Sequence, residues 1–129
     1  MERFVRLWSN TLPRRVAEEL ALADLKGIMP MRVGTAAFDT AIRAGTIKWV
    51  VVPDGDLLVM PKYVDDIELA HSVLARGEPV QAAGEARVVG ANGLYIGLDI
   101  NNWSGHYRPD ESTVTIGRWA FEARGIRFL

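Results

Sequence analysis

Thr46-Ile47-Lys48-Trp49-Val50-Val51-Val52, then Pro53-Asp54-Gly55-Asp56, then Leu57-Leu58-Val59-Met60, is the stretch that decides the fold. The outer runs are β-branched, aromatic or aliphatic, and the middle is made of turn formers. Strand, turn, strand follows, with a hairpin at Asp54-Gly55. Beyond it, Val64 to Leu74 stays open, because Ile67, Leu69 and Val73 fit either a strand or a short helix. Val80 to Val89 reads as a strand in which Gly84 marks a bulge or a close approach. Ala91-Asn92-Gly93 turns the chain into Leu94 to Ile100, whose alternation suits a half-buried strand. Pro109-Asp110-Glu111-Ser112 opens a last helix, with Asp110 or Ser112 as cap and acidic charge at its positive end. Ile116, Trp119, Ala120 and Ala123 form its apolar stripe, and Gly125 ends it.

On the N-terminal side the period is helical. Thr11 is the expected cap and Pro13 the first turn of a helix carrying Val16, Leu20 and Ala23 on one face and stopping at Gly27. Ile28 to Gly34 is an extended connector. Thr35 caps a short helix in which Phe38, Ala41 and Ile42 share a face, and Gly45 closes it. The expected class is α+β: N-terminal helices, a mostly antiparallel sheet of about four to five strands, and a C-terminal helix packed on it. No repeat or linker interrupts residues 1–129, which read as one domain.

Composition narrows the function. Of 129 residues, 49% are hydrophobic and 24% charged, as in an ordinary globular chain. Fifteen basic residues against sixteen acidic ones disfavour a DNA-duplex surface, which needs a basic excess. An enzyme that only visits RNA remains compatible, because local charge outweighs the sum. The absence of cysteine removes disulfides, thiolate catalysis and thiolate metal sites. Trp49 to Val52 is far too short for a membrane span, so no membrane partner is expected. Met1-Glu2-Arg3-Phe4-Val5-Arg6 has no apolar h-region, so export would depend on a larger carrier.

Both histidines stand in short polar segments. His71 opens His71-Ser72-Val73-Leu74, and His106 lies in Ser104-Gly105-His106-Tyr107-Arg108-Pro109. Imidazole exchanges protons near neutrality, and Glu85, Arg87, Tyr107 and Arg108 accompany such transfer at a phosphate or ribose. His106, His71, Glu85 and Tyr107 are therefore the candidate catalytic groups. Ser72, Arg87, Arg108 and Trp103 are the candidate substrate-binding ones. The competing structural readings are a helix-opening hydrogen bond for His106 and Tyr107, an edge or cap role for His71 and Ser72, and a solvent-facing position for Glu85. Asp65, Asp66 and Glu68 read as a solvated face, and the tryptophans other than Trp103 as core. Trp103 could stack on a base or nicotinamide. No metal-ligand spacing is present.

Several of these stretches resemble modules at the C-termini of bacterial polymorphic toxins: Thr46 to Val51, Leu57 to Lys62, His71 to Leu74, Pro79 to Ala86, Ser104 to Pro109 and Phe121 to Phe128. The likeness runs from about Val33 to the end. The His-Ser, Ala-Ala-Gly and Ser-Gly-His-Tyr-x-Pro elements also resemble the globular domain of plant calmodulin-binding proteins with an IQ motif, whose IQ helix is absent here. The toxin resemblance implies a warhead delivered by a long carrier into the cytoplasm of a target cell, and a cognate immunity protein. Small modules of that kind are commonly ribonucleases or ADP-ribosyltransferases. The first reading is a metal-independent ribonuclease without cofactor: Glu85 or His71 as base, His106 as acid, Arg87 or Arg108 on the phosphate, Tyr107 orienting it. The alternative is an NAD-dependent ADP-ribosyltransferase or NAD-cleaving enzyme, with His71 on the ribose, Tyr107 on the ring and Glu85 at the transition state. A third is a non-catalytic partner-binding module.

Overall fold

The computed structural model describes residues 5–129, so four residues of the N-terminal stretch Met1 to Arg6 lie outside it. The expected hairpin is present as β1 (Ile47–Val51) and β2 (Leu57–Pro61), paired antiparallel with Trp49 opposite Val59. β1 also pairs antiparallel with β5 (Ala82–Ala91), and β5 with β6 (Leu94–Ile100), through the Asn92-Gly93 turn. The sheet order is β2-β1-β5-β6. The open stretch after β2 resolves both ways. A small separate hairpin, β3 (Tyr63–Val64) and β4 (Ile67–Glu68), comes first, and a one-turn helix, α3 (Ser72–Ala75), follows. The class is α+β, as the sequence predicts.

Period-two alternation gives the sheet two faces. Ile47, Trp49 and Val51 of β1, with Ala82 and Ala86 of β5, face α2 (Ala36–Ala44) and α4 (Thr113–Glu122), burying Phe38, Ile42 and Phe121. Val50, Met60 and Ala83 face the other way, under α3 and α1 (Val16–Leu25), with Leu69, Leu74 and Tyr107. Thr35 caps α2 as expected, its hydroxyl oxygen accepting from the Phe38 N–H at 3.1 Å. At the start of α1 the expectation changes. A 3-10 turn over Pro13–Arg15 precedes the helix, and Thr11 caps nothing: its hydroxyl donates to the His106 carbonyl at 2.8 Å.

The last helix also departs from the expected stripe. Its buried face is Thr113, Gly117, Ala120 and Phe121, and Trp119 is 65% exposed. Gly117 is the reason. A Cβ there would stand 2.4 Å from the Trp49 ring, so the helix seats this bare position on the indole and turns Trp119 and Ala123 outward. Neither Asp110 nor Ser112 caps α4 with its side chain; the Asp110 carbonyl accepts from the Thr113 N–H and hydroxyl instead. The sheet's irregularity lies not at Gly84 but between Arg87 and Val88, where Leu98 of β6 has no partner. Among the described residues no helix is long and apolar enough to cross a membrane.

Candidate functional site

The site grows from one strand position. Gly84 and Glu85 of β5 form a knot of backbone hydrogen bonds. The Gly84 carbonyl accepts from His71 Nε2 at 2.7 Å. The Glu85 carbonyl accepts from Trp49 Nε1 at 3.1 Å and from the Asn101 N–H at 2.9 Å. In return, Asn101 Oδ1 accepts from the Glu85 N–H and the Trp103 N–H, each at 2.9 Å. Only glycine permits this approach, because a Cβ at Gly84 would lie 1.8 Å from the Asn101 carbonyl oxygen. The sequence reading of Gly84 as a close-approach point is therefore correct, and what approaches is the chain after β6.

Three nominated residues belong to this interior. His71 is 1% exposed, and burial holds its imidazole pKa down to about 3, with Lys48, His106 and Lys62 adding to the lowering. It is neutral and donates its one N–H to Gly84, so it reaches no substrate and cannot serve as the base. Ser72 is fully buried and donates to Glu19 Oε1 at 2.7 Å. Tyr107 is 1% exposed and donates its hydroxyl to the Glu78 carbonyl at 2.8 Å. Burial, with Glu78 and Glu19 nearby, raises its pKa well above the usual phenol range. Tyr107 pins the loop and orients nothing outside.

His106 lies at the surface of the same framework. The N-terminal segment holds its backbone, the Thr11 N–H donating to the His106 carbonyl at 2.6 Å. Its Nε2 meets Glu19 Oε2 at 2.5 Å, so Glu19 joins His106 to Ser72. Glu19 occupies Nε2 and leaves Nδ1 as the ring's other polar atom. His106 lines a cleft of about 290 Å³ together with Arg15, Glu19, Lys48 and Glu68.

Lys48 continues the site onto the sheet. It stands opposite Glu85 in the β1–β5 register, with its ammonium nearly buried. Burial lowers its pKa below the ordinary lysine value, while Glu68 and Glu85 oppose the shift. Its Nζ donates to Glu68 Oε2 at 3.3 Å. Lys62 Nζ lies 3.9 Å from Glu68 Oε1 and 3.1 Å from Glu85 Oε2. Burial works against the Lys62 charge, but the hydrogen bond and charge of Glu85 outweigh it and the pKa rises. Lys48, Glu68, Lys62 and Glu85 thus form one chain of alternating charge. Glu68 is exposed, as expected from sequence, and it also closes two ion pairs, with Lys48 and Lys62.

Glu85 leads into a second cleft of about 440 Å³, lined also by Lys62, Arg87, Asp99, Asn101 and Trp103. Arg87 is spent on a hydrogen-bonded ion pair with Asp99 across β5–β6. Arg108 is exposed, in a left-handed backbone conformation at φ 45°. It lines neither cleft. Among the described residues no group of three or more His, Asp or Glu side chains is placed to hold a metal ion. No family model matches this chain, and no curated protein or solved structure matches it.

Sequence reasoning missed Glu19, Lys48, Lys62 and Asn101. Two of them carried a signal. Lys48 interrupts an otherwise apolar strand, and Glu19 falls three residues after Val16, beside the inward stripe of α1. A charge at a core-facing position is costly unless it is paired, so such residues are worth nominating.

Proposed function

We propose that the domain cleaves RNA by acid–base chemistry carried by its own side chains. The observation that bears this reading is the His106–Glu19 pair at 2.5 Å, in one cleft with Lys48 and Glu68, from which ion pairs lead on to Lys62 and Glu85 in the next. Glu85 takes the proton of a ribose 2′-hydroxyl, whose oxygen attacks phosphorus. The bond from phosphorus to the 5′-oxygen breaks, and His106 donates the proton that this oxygen needs. A 2′,3′-cyclic phosphate and a free 5′-hydroxyl result. Lys48 and Lys62, rather than Arg87 or Arg108, balance the charge that develops on the phosphate. Glu19 fixes the His106 ring and compensates it when it is imidazolium. His71, Ser72 and Tyr107 are positioning residues that hold the loop and strand on which these groups stand.

As a toxin warhead, the domain would act in the cytoplasm of a target cell, reach it on a larger carrier, and be blocked by an immunity protein covering the clefts. This part rests on the resemblance of the sequence elements alone. The charge-balanced cleft beside Glu85, walled by Trp103, favours a second reading in which NAD is bound and cleaved, with Glu85 stabilising the cationic ribose. Induced bacterial expression of the parent and His106→Ala, scored for growth, RNA integrity and NAD level, separates the readings. Fragmented RNA and growth arrest, both lost in His106→Ala, support the ribonuclease. Arrest with NAD loss supports the second reading and overturns the first. No arrest from a well-folded parent leaves a non-catalytic partner-binding module.

A further inference from the structure

The Trp103 cleft has a composition that limits what it can hold. Trp103 is 68% exposed and, unlike the similarly exposed Trp119, lines a cleft. Its main chain is nevertheless fixed, because its N–H and that of Glu85 share the Asn101 oxygen. The charges around the cleft cancel: Lys62 pairs with Glu85, and Arg87 with Asp99. An anionic group gains little there, whereas a flat neutral ring with a polar edge could stack on the indole and turn its edge toward Asn101 and the paired charges. About 440 Å³ is within the range of small-ligand sites. Glu85 belongs to this cleft and, through Lys62 and Glu68, to the surface that carries Lys48 and His106.

We infer that the Trp103 cleft receives one unstacked nucleobase of single-stranded RNA, next to the ribose whose 2′-hydroxyl Glu85 meets. The inference rests on the ribonuclease reading and adds its substrate class. A base paired in a duplex has both faces covered by its neighbours and cannot offer one to Trp103, so double-stranded RNA is excluded from the site. The charge-neutral cleft then selects the base, and Lys62 in its wall and Lys48 beyond it hold the backbone.

The test uses the His106→Ala protein, which cannot turn over the probe, and a short fluorescent single-stranded RNA followed by anisotropy. Adding Trp103→Ala should weaken binding on the order of ten- to a hundredfold, and Trp103→Phe should restore part of it. The same sequence as a duplex should show no dependence on Trp103. Equal single-strand affinity with and without Trp103 overturns the inference, even if the wild-type protein cleaves RNA and His106→Ala does not. Trp103-dependent binding of NAD, with none of the RNA, overturns it as well. Trp103-dependent binding of the single strand by a protein that cleaves no RNA upholds the base site and removes the ribonuclease reading instead.

Discussion

The knot around Gly84 and the groove beside it each hold one of the two histidines, in opposite surroundings. In the knot, His71, Ser72 and Tyr107 each donate one hydrogen bond to a fixed acceptor inside the protein, and burial suppresses the ionisation of His71 and Tyr107. In the groove, His106, Lys48, Lys62 and Glu85 line the two clefts and pair with one another or with Glu19 and Glu68. Glu85 belongs to both, its backbone to the knot and its carboxylate to the groove. A histidine or tyrosine in a motif is therefore informative about rigidity as often as about chemistry. What separates the two uses is whether the side chain faces the interior or lines a cleft.

Five substitutions test that division. His106→Ala should lower RNA cleavage by roughly 10²- to 10⁴-fold, far more than the stability lost with its pair to Glu19 takes from the folded fraction in urea denaturation. An activity loss that only follows the folded fraction would move His106 into the knot. Gly84→Ala should act the other way. The clash with the Asn101 carbonyl should cost about 3 kcal/mol or more in urea denaturation, and activity should fall only as the folded fraction falls.

His71 gives a pH signature. Its folded pKa, about 3, lies below the unfolded value of 6.5, so below pH 6.5 the unfolded chain binds a proton that the folded chain refuses. Stability should be full above that pH and fall, by up to about 1.4 kcal/mol per pH unit, as pH drops toward 3. His71→Gln should flatten this slope in urea midpoints measured from pH 7 to pH 4. An unchanged slope would mean that the imidazole is not buried neutral. Tyr107→Phe should cost about 1 kcal/mol, the net worth of its hydrogen bond to Glu78, with kcat unaltered. The smallest effect belongs to Arg87→Ala, whose pair with Asp99 is more than half exposed and should contribute under about 1 kcal/mol to thermal stability.

Local patterns made much of the fold legible. The β1–β2 hairpin, β5, β6 and the capped α2 follow from alternation, turn residues and a threonine at the right place. The misread stripe of α4 shows the limit of periodicity. Ile116 and Ala120 pack on the core as their spacing predicts, but Trp119 and Ala123 turn outward, because a glycine facing a buried indole outweighed their hydrophobicity. At the site, the motif residues were visible and their roles were not. Glu85 and Trp103 line one cleft and His106 another, whereas His71, Ser72 and Tyr107 point inward.

By itself the sequence determined the α+β class, the order of most elements and the need for glycine at position 84. These depend on contacts within a turn, a strand or a cap, which nearby residues specify. Tertiary structure alone decided which histidine meets solvent, that Glu19 reaches from the first helix to His106, and that Lys48 and Lys62 join Glu68 and Glu85. Those outcomes depend on burial and on pairings between distant segments, and a residue's solvation is set by what the rest of the chain packs against it.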